Sequence, residues 1–129
     1  MPAPSSPVEP VASIEFSSAD RADIDRAIRS AEELDRFEFS VYVGDTEGDV
    51  RTAARRLHAA LVAPARSVLV LVDPSRRAVE IVTGDHARTK LTDDECERAV
   101  ALMAPDLADG KVAAGLVKGI EKLGLLGRD

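Results

Sequence analysis

Two groups of acidic residues in this 129-residue chain have the composition to hold a cation or to move a proton. Asp45, Glu47, Asp49 and Asp73 come from two loops, and carboxylates gathered from separate loops chelate hard cations such as calcium through oxygen. Asp85, His86, Asp93 and Asp94 add an imidazole to carboxylates, a set suited to acid–base catalysis or to a metal. Each group also has a plainer use. Asp45 and Asp73 suit turns, Asp49 suits a helix N-cap, and Asp93 and Asp94 would favour the dipole of the helix they open. The first group lacks the ordered spacing of a calcium loop, so turn and cap duties are its expected use. The same structural use is expected of the second.

The remaining reactive residues point away from covalent chemistry. Neither histidine accompanies a Gly-x-Ser-x-Gly elbow, so no Ser-His-Asp triad is available. Cys96 is the only cysteine; it excludes an internal disulfide and a cysteine metal cluster, and it reads as a buried small hydrophobe on a helical apolar stripe. His58 falls on the Arg-rich side of a helix and reads as a surface residue. Arg51, Arg55, Arg56 and Arg66 read as a solvated face, with a basic patch for an acidic partner as the alternative. Gly115 and Gly119 form a Gly-x-x-x-Gly step, and Lys111, Lys118 and Lys122 around it favour close helix packing over a membrane role.

These residues hang on a chain organised around Ser67 to Gly84. Val68 to Val72 is a continuous apolar run, the pattern of a strand buried on both faces. Val79, Ile81 and Thr83 then alternate with Ala78, Glu80 and Val82, and Asp73-Pro74-Ser75-Arg76 supplies turn chemistry between the two, which predicts an antiparallel hairpin. Upstream, Phe37 to Gly44 alternates as a strand, and Val50, Ala53, Ala54, Leu57 and Leu61 make a helical stripe after Asp49, with Pro64 closing the helix. Strand, helix and buried strand make a β-α-β unit, so the Phe37 and Val68 strands are expected to be parallel.

The flanks are expected to be helical. A first helix begins at Ser17 or Ser18 with Ile24, Ala27, Ile28, Ala31 and Leu34 on its apolar face, and Asp25 with Arg29 and Glu32 with Arg36 as surface pairs. Thr92 with Glu95 is a capping box for a third helix that Pro105 ends. Asp109-Gly110 leads into a fourth, with Val112, Leu116, Ile120 and Leu123 on one face. Between hairpin and third helix lies a polar connection, Asp85 to Lys90. Residues 1–12 are expected as a disordered Pro- and Ser-rich tail, 13–126 as one α/β domain and 127–129 as a tail, with Val11 to Phe16 a short edge strand or docked chain. The fold expected is a three-layer α-β-α sandwich with about four helices and a mixed sheet of three to five strands.

A formal charge of -6 argues against nucleic acid as a partner. No apolar span is long enough to cross a membrane and no secretory leader is legible, so a cytoplasmic location is the expectation. Three Phe, one Tyr and no Trp leave the core to Val, Leu, Ile and Ala.

In this order the elements resemble the TPM domain, the thylakoid acid-phosphatase-like family. The resemblance is carried by IDRAIRSAEE, FEFSVYVG, Ala53 to Leu57, VLVLVDPSRRAVEIVTG and APDLADGKVAAGLVKGIEKL, from about Phe16 to Leu125. It implies helices on both faces of the sheet. The family's metal and phosphatase site would lie between Ala63-Pro64-Ala65-Arg66 and Gly84-Asp85-His86, where only Gly84 matches the family pattern cleanly and Asp93 corresponds to the acidic residue opening the next helix. With that pattern eroded, the leading expectation is a non-enzymatic interaction or accessory domain with a protein partner and no cofactor. The alternatives are a metal-dependent phosphatase-like hydrolase using Asp85, His86 and Asp93, with Asp85, Asp93 and Asp94 as metal ligands, and a domain that binds calcium or another divalent cation without catalysis, with Asp45, Glu47 and Asp73 as the second ligand cluster.

Overall fold

The computed structural model describes residues 8–10 and 16–128. Its elements are β1 (Val8–Pro10), α1 (Ser18–Asp35), β2 (Glu38–Val43), α2 (Val50–Ala59), β3 (Ser67–Asp73), β4 (Ala78–Thr83), α3 (Asp93–Ala108) and α4 (Val112–Leu126). The sheet order is β1-β2-β3-β4, with β1, β2 and β3 parallel and β4 antiparallel to β3. The α/β class, the mixed sheet and the hairpin are as the sequence predicts.

β3 is the centre because every one of its side chains is buried. Val68, Val70 and Val72 pack with Phe39, Val41, Val43 and Ile81 against α1, α3 and α4. Leu69 and Leu71 pack with Val82 against Ala54, Val50 and Leu57 of α2. The outcome is three helices on one sheet face and one on the other. Alternation explains the split, since successive residues of a strand face opposite sides.

The helix starts follow their caps. The Ser17 hydroxyl accepts from Asp20 N, Asp49 accepts from Thr52 N, and Thr92 with Glu95 forms the expected capping box. The glycines of α4 serve packing: a methyl on Gly115 would lie 3.0 Å from Leu107, and one on Gly124 would lie 2.8 Å from Ala31. So α4 sits close to both α3 and α1.

Several expectations are corrected. Residues 8–10, assigned to the tail, pair with Val41–Val43. The open edge of β2 offers main-chain partners, and Pro10, which has no N–H to donate, is tolerated on an edge strand. Residues 11–15 lie outside the described residues. Pro105 does not end α3, which runs on to Ala108. The proline ring is exposed, only the final turn follows it, and Leu107 of that turn packs on Gly115. α2 stops at Ala59, and Pro64 instead opens the short 3-10 turn Pro64–Arg66. The connection after β4 is not wholly polar, for Ala87 and Leu91 are fully buried and anchor it. In α1, Glu32 accepts from Phe39 N at 2.9 Å instead of pairing with Arg36, which leaves the helix in the left-handed conformation. Arg26 pairs with Asp23, and Asp25 keeps a buried oxygen without a hydrogen bond.

His58 is the clearest reversal. It is buried, and its Nε2 lies 3.0 Å from Ser67 O, to which it donates. A helical wheel places His58 beside arginines, but the C-terminal end of α2 leans onto the start of β3, where a main-chain acceptor meets the ring.

Candidate functional site

At the C-terminal end of the parallel strands, Asp73 is fully buried. Its Oδ2 accepts from Thr46 N at 2.8 Å and Thr46 Oγ1 at 2.6 Å, and its Oδ1 accepts from Ser75 Oγ at 2.7 Å and Arg76 N at 3.3 Å. Burial pushes its pKa upward, but the donors from Thr46, Ser75 and Arg76 prevail and hold it below 3.8. Arg76 Nη1 also donates to Gly48 O at 2.5 Å and to Thr46 Oγ1 at 3.3 Å, tying the loop before α2 to the hairpin turn. Asp49 accepts from Thr52 N and Thr52 Oγ1, both at 2.9 Å, and these bonds lower its pKa. Asp45 and Glu47 are exposed. Asp73 therefore acts as the hub of two turns and Asp49 as a cap. From sequence Arg76 is only a turn residue and Thr46 carries no signal; the spatial meeting of the two loops discloses their shared role.

The second group separates. Asp85 is 95% exposed and pairs with Arg88 at 2.5 Å. The exposed His86 places its ring edge-on to Phe37, with centroids 5.7 Å apart, and its main-chain N–H donates to Ala65 O. Asp93 and Asp94 lie in the first turn of α3. Asp93 borders a groove between β4 and α3 that neither Asp85 nor His86 lines. Among the described residues, no three His, Cys, Asp or Glu side chains come together in a way that could hold a metal ion.

That groove has a volume of about 440 Å³ and is walled by Val79 and Ile81 of β4 and by Cys96 and Val100 of α3. Burial pushes the Cys96 thiol up to about 11, with the nearby Asp93 charge adding to the effect. The cysteine is thus the inert, buried residue that its position on the helix suggests. Arg51 of α2 closes one side of the groove, bonding Glu80 Oε1 at 3.0 Å and Ile81 O at 2.9 Å. A second groove, of about 880 Å³, runs between α1 and α4 over Ala27, Ala113 and Val117.

Asp35, at the last residue of α1, escaped the sequence reading. It is buried; its Oδ1 accepts from Phe37 N at 2.9 Å, while Oδ2 has no hydrogen-bond partner. Burial, and then the neighbouring Glu32 charge, push its pKa up from 3.8 to about 6. The folded state thus binds this proton more tightly than the unfolded chain, so the Asp35 contribution to stability is greatest below pH 3.8 and is lost as pH rises towards about 6. In Asp35→Asn that decline disappears, which thermal melts at pH 4, 5, 6 and 7 would record as a flatter profile. A profile identical to the parent's would refute this assignment.

No helix of the described residues is long and apolar enough to cross a membrane. The fold is similar to that of the N-terminal domain of cg2496 from Corynebacterium glutamicum, with a TM-score of 0.79 at 20% identity over 94% of this chain and 79% of that one. It is also similar to BA42 from the psychrophilic bacterium Bizionia argentinensis, with a TM-score of 0.75 at 27% identity over 88% of this chain and 82% of that one. In sequence, the chain is 27% identical over 108 residues to two proteins of Mycobacterium tuberculosis, uncharacterized protein MT2543 of strain CDC 1551 and uncharacterized protein Rv2468c of strain H37Rv. The match covers 84% of this chain and 65% of each of those relatives, so the chain spans just under two thirds of their length. Residues 2–124 match the model of a family described as Domain of unknown function (DUF5130), and the chain belongs to that family.

Proposed function

We propose that the chain is a TPM-like interaction or accessory domain that binds a protein partner in the cytoplasm and has no catalytic activity of its own. The observation that carries this reading is the use to which the acidic residues are put. Asp73 receives four donors from two turns, Asp49 caps α2, Asp85 pairs with Arg88, and Asp93 and Asp94 open α3. Carboxylates spent in this way brace loops, and what they brace is a rigid sheet with grooves on its flanks. The TPM resemblance supports the same reading, because its site pattern is retained mainly at Gly84, whose role here is steric.

Two measurements test it. The midpoint of thermal unfolding should stay unchanged when millimolar calcium, magnesium or manganese is added to metal-free protein. A cation with a dissociation constant about a hundredfold below its concentration would add roughly 2.7 kcal/mol, a rise of several degrees. A rise that vanished in Asp85→Ala would favour the metal-dependent alternatives and call for a phosphatase screen. Separately, affinity capture from native lysate should return a reproducible protein partner, and a blank result would count against the interaction role.

A further inference from the structure

β4 is the outer strand of the sheet on its side. Gly84 N donates to Ser67 O, and the register places Thr83 opposite Val68. In an antiparallel ladder, bonded and non-bonded pairs alternate, so Val82, Glu80 and Ala78 bond to β3 while the main-chain groups of Val79, Ile81 and Thr83 point outward. Arg51 occupies the outward carbonyl of Ile81. The N–H groups of Val79 and Ile81 have no partner among the described residues. An edge of this kind is a template for another strand. The groove beside it is apolar at its base and acidic at its rim: Glu80 is matched by Arg51, but Asp93 and Glu97 have no ion-pair partner among the described residues.

We propose that this edge receives an extended, lysine- or arginine-bearing segment of the protein partner, which adds to β4 as a fifth strand and lies along the first two turns of α3. This assignment rests on the interaction role proposed above. Arg51 swings away from Ile81 O as the incoming strand takes its place. Side chains of the segment on the α3 side then lie over the groove, their aliphatic stems on Val79 and Ile81 and their charged ends at Asp93 and Glu97, while the intervening ones face the α2 side. The charge argues for a basic partner and against a second copy, because two β4 edges paired about a twofold axis would bring the unmatched Asp93 and Glu97 of one copy towards those of the other. The excess negative charge of the whole chain also steers basic segments towards it.

The test uses the full chain labelled with nitrogen-15 and two capped hexapeptides, one alternating lysine with valine and one alternating glutamate with valine. The basic peptide should shift the amide resonances of Val79, Ile81, Asp93 and Glu97, and the acidic peptide should not. Binding should weaken roughly tenfold in Glu97→Arg, an exposed position, and should weaken with added salt. Val79→Pro removes an outward N–H and leaves the β3 ladder intact, so it should abolish the shifts while the circular dichroism spectrum stays native. Shifts that map elsewhere, equal binding of both peptides, indifference to Val79→Pro, no shifts at millimolar peptide, or dimerisation through β4 would each overturn the proposal. A partner captured equally well by the parent chain and by Val79→Pro would preserve the interaction role and remove this edge from it.

Discussion

A Gly84→Ala variant is expected to unfold at a much lower temperature than the parent protein. Gly84 follows β4 and is wedged against the 3-10 turn before β3; a methyl built there overlaps Pro64 O and lies 2.6 Å from both the carbonyl carbon and the oxygen of Ala65. The obstructing atoms are all backbone, so no side chain can rotate away. The turn is also held from both directions, because Gly84 N donates to Ser67 O at 3.0 Å and His86 N donates to Ala65 O at 2.9 Å. Relief therefore requires breaking these bonds or shifting the turn, at a cost of roughly 3 kcal/mol or more. In a domain of this size that corresponds to a drop of roughly 10 °C. Gly48→Ala is the useful comparison: Gly48 has φ 70° but nothing within 4 Å of the added methyl, so only backbone strain of about 1 kcal/mol is expected. Calorimetry on both variants decides the matter. Equal, small losses would mean that the turn can yield and that Gly84 is not a steric requirement.

Asp73→Ala should be at least as damaging, for an electrostatic reason. Removing the carboxylate strands the N–H groups of Thr46 and Arg76 and the hydroxyls of Thr46 and Ser75, all of which now donate to it. Each unsatisfied buried donor costs about 1–3 kcal/mol, so even with water reaching some of them a loss of roughly 3 kcal/mol is expected by chemical denaturation. The pH dependence has a definite sign. Asp73 has a folded pKa lowered from 3.8, so its contribution is fully present above 3.8 and is lost as pH falls through the folded value. Asp49 is shifted in the same direction and shares the acid limb, so the part due to Asp73 is the part that disappears in Asp73→Asn. An Asp73→Asn profile with an unchanged acid limb would show that another group is responsible. Asp35 acts in the opposite sense between pH 3.8 and about 6, which lets the two carboxylates be separated in a single titration series.

Both residues bear on how the sequence is read. Gly84 was the position that best matched the phosphatase-like family pattern, and in the structure its requirement is explained by a backbone contact, without any ligand. From sequence Asp73 suits either a cation ligand or a turn residue, and its four donors hold it in the turn role. Asp85, His86 and Asp93 are close in sequence, yet Asp93 turns to the β4–α3 groove while Asp85 pairs with Arg88. Sequence proximity within a loop and the start of a helix does not dictate a common direction.

Local patterns determined the architecture. The apolar run Val68 to Val72, the alternation after Asp73, the caps Ser17, Asp49 and Thr92 and the stripe of α4 each depend on neighbours within a few residues, and each was legible in the linear chain. Tertiary contact decided the rest. His58 is buried because Ser67 O happens to receive it, Asp35 is raised because α1 ends beneath later parts of the chain such as Gly127, and Val8–Pro10 join the sheet because β2 offers a free edge. The open edge of β4 and its acidic rim belong to the same class: they join residues from α2, β4 and α3 that are far apart in sequence, and the charge and hydrogen-bonding of such a surface exist only once those elements have packed.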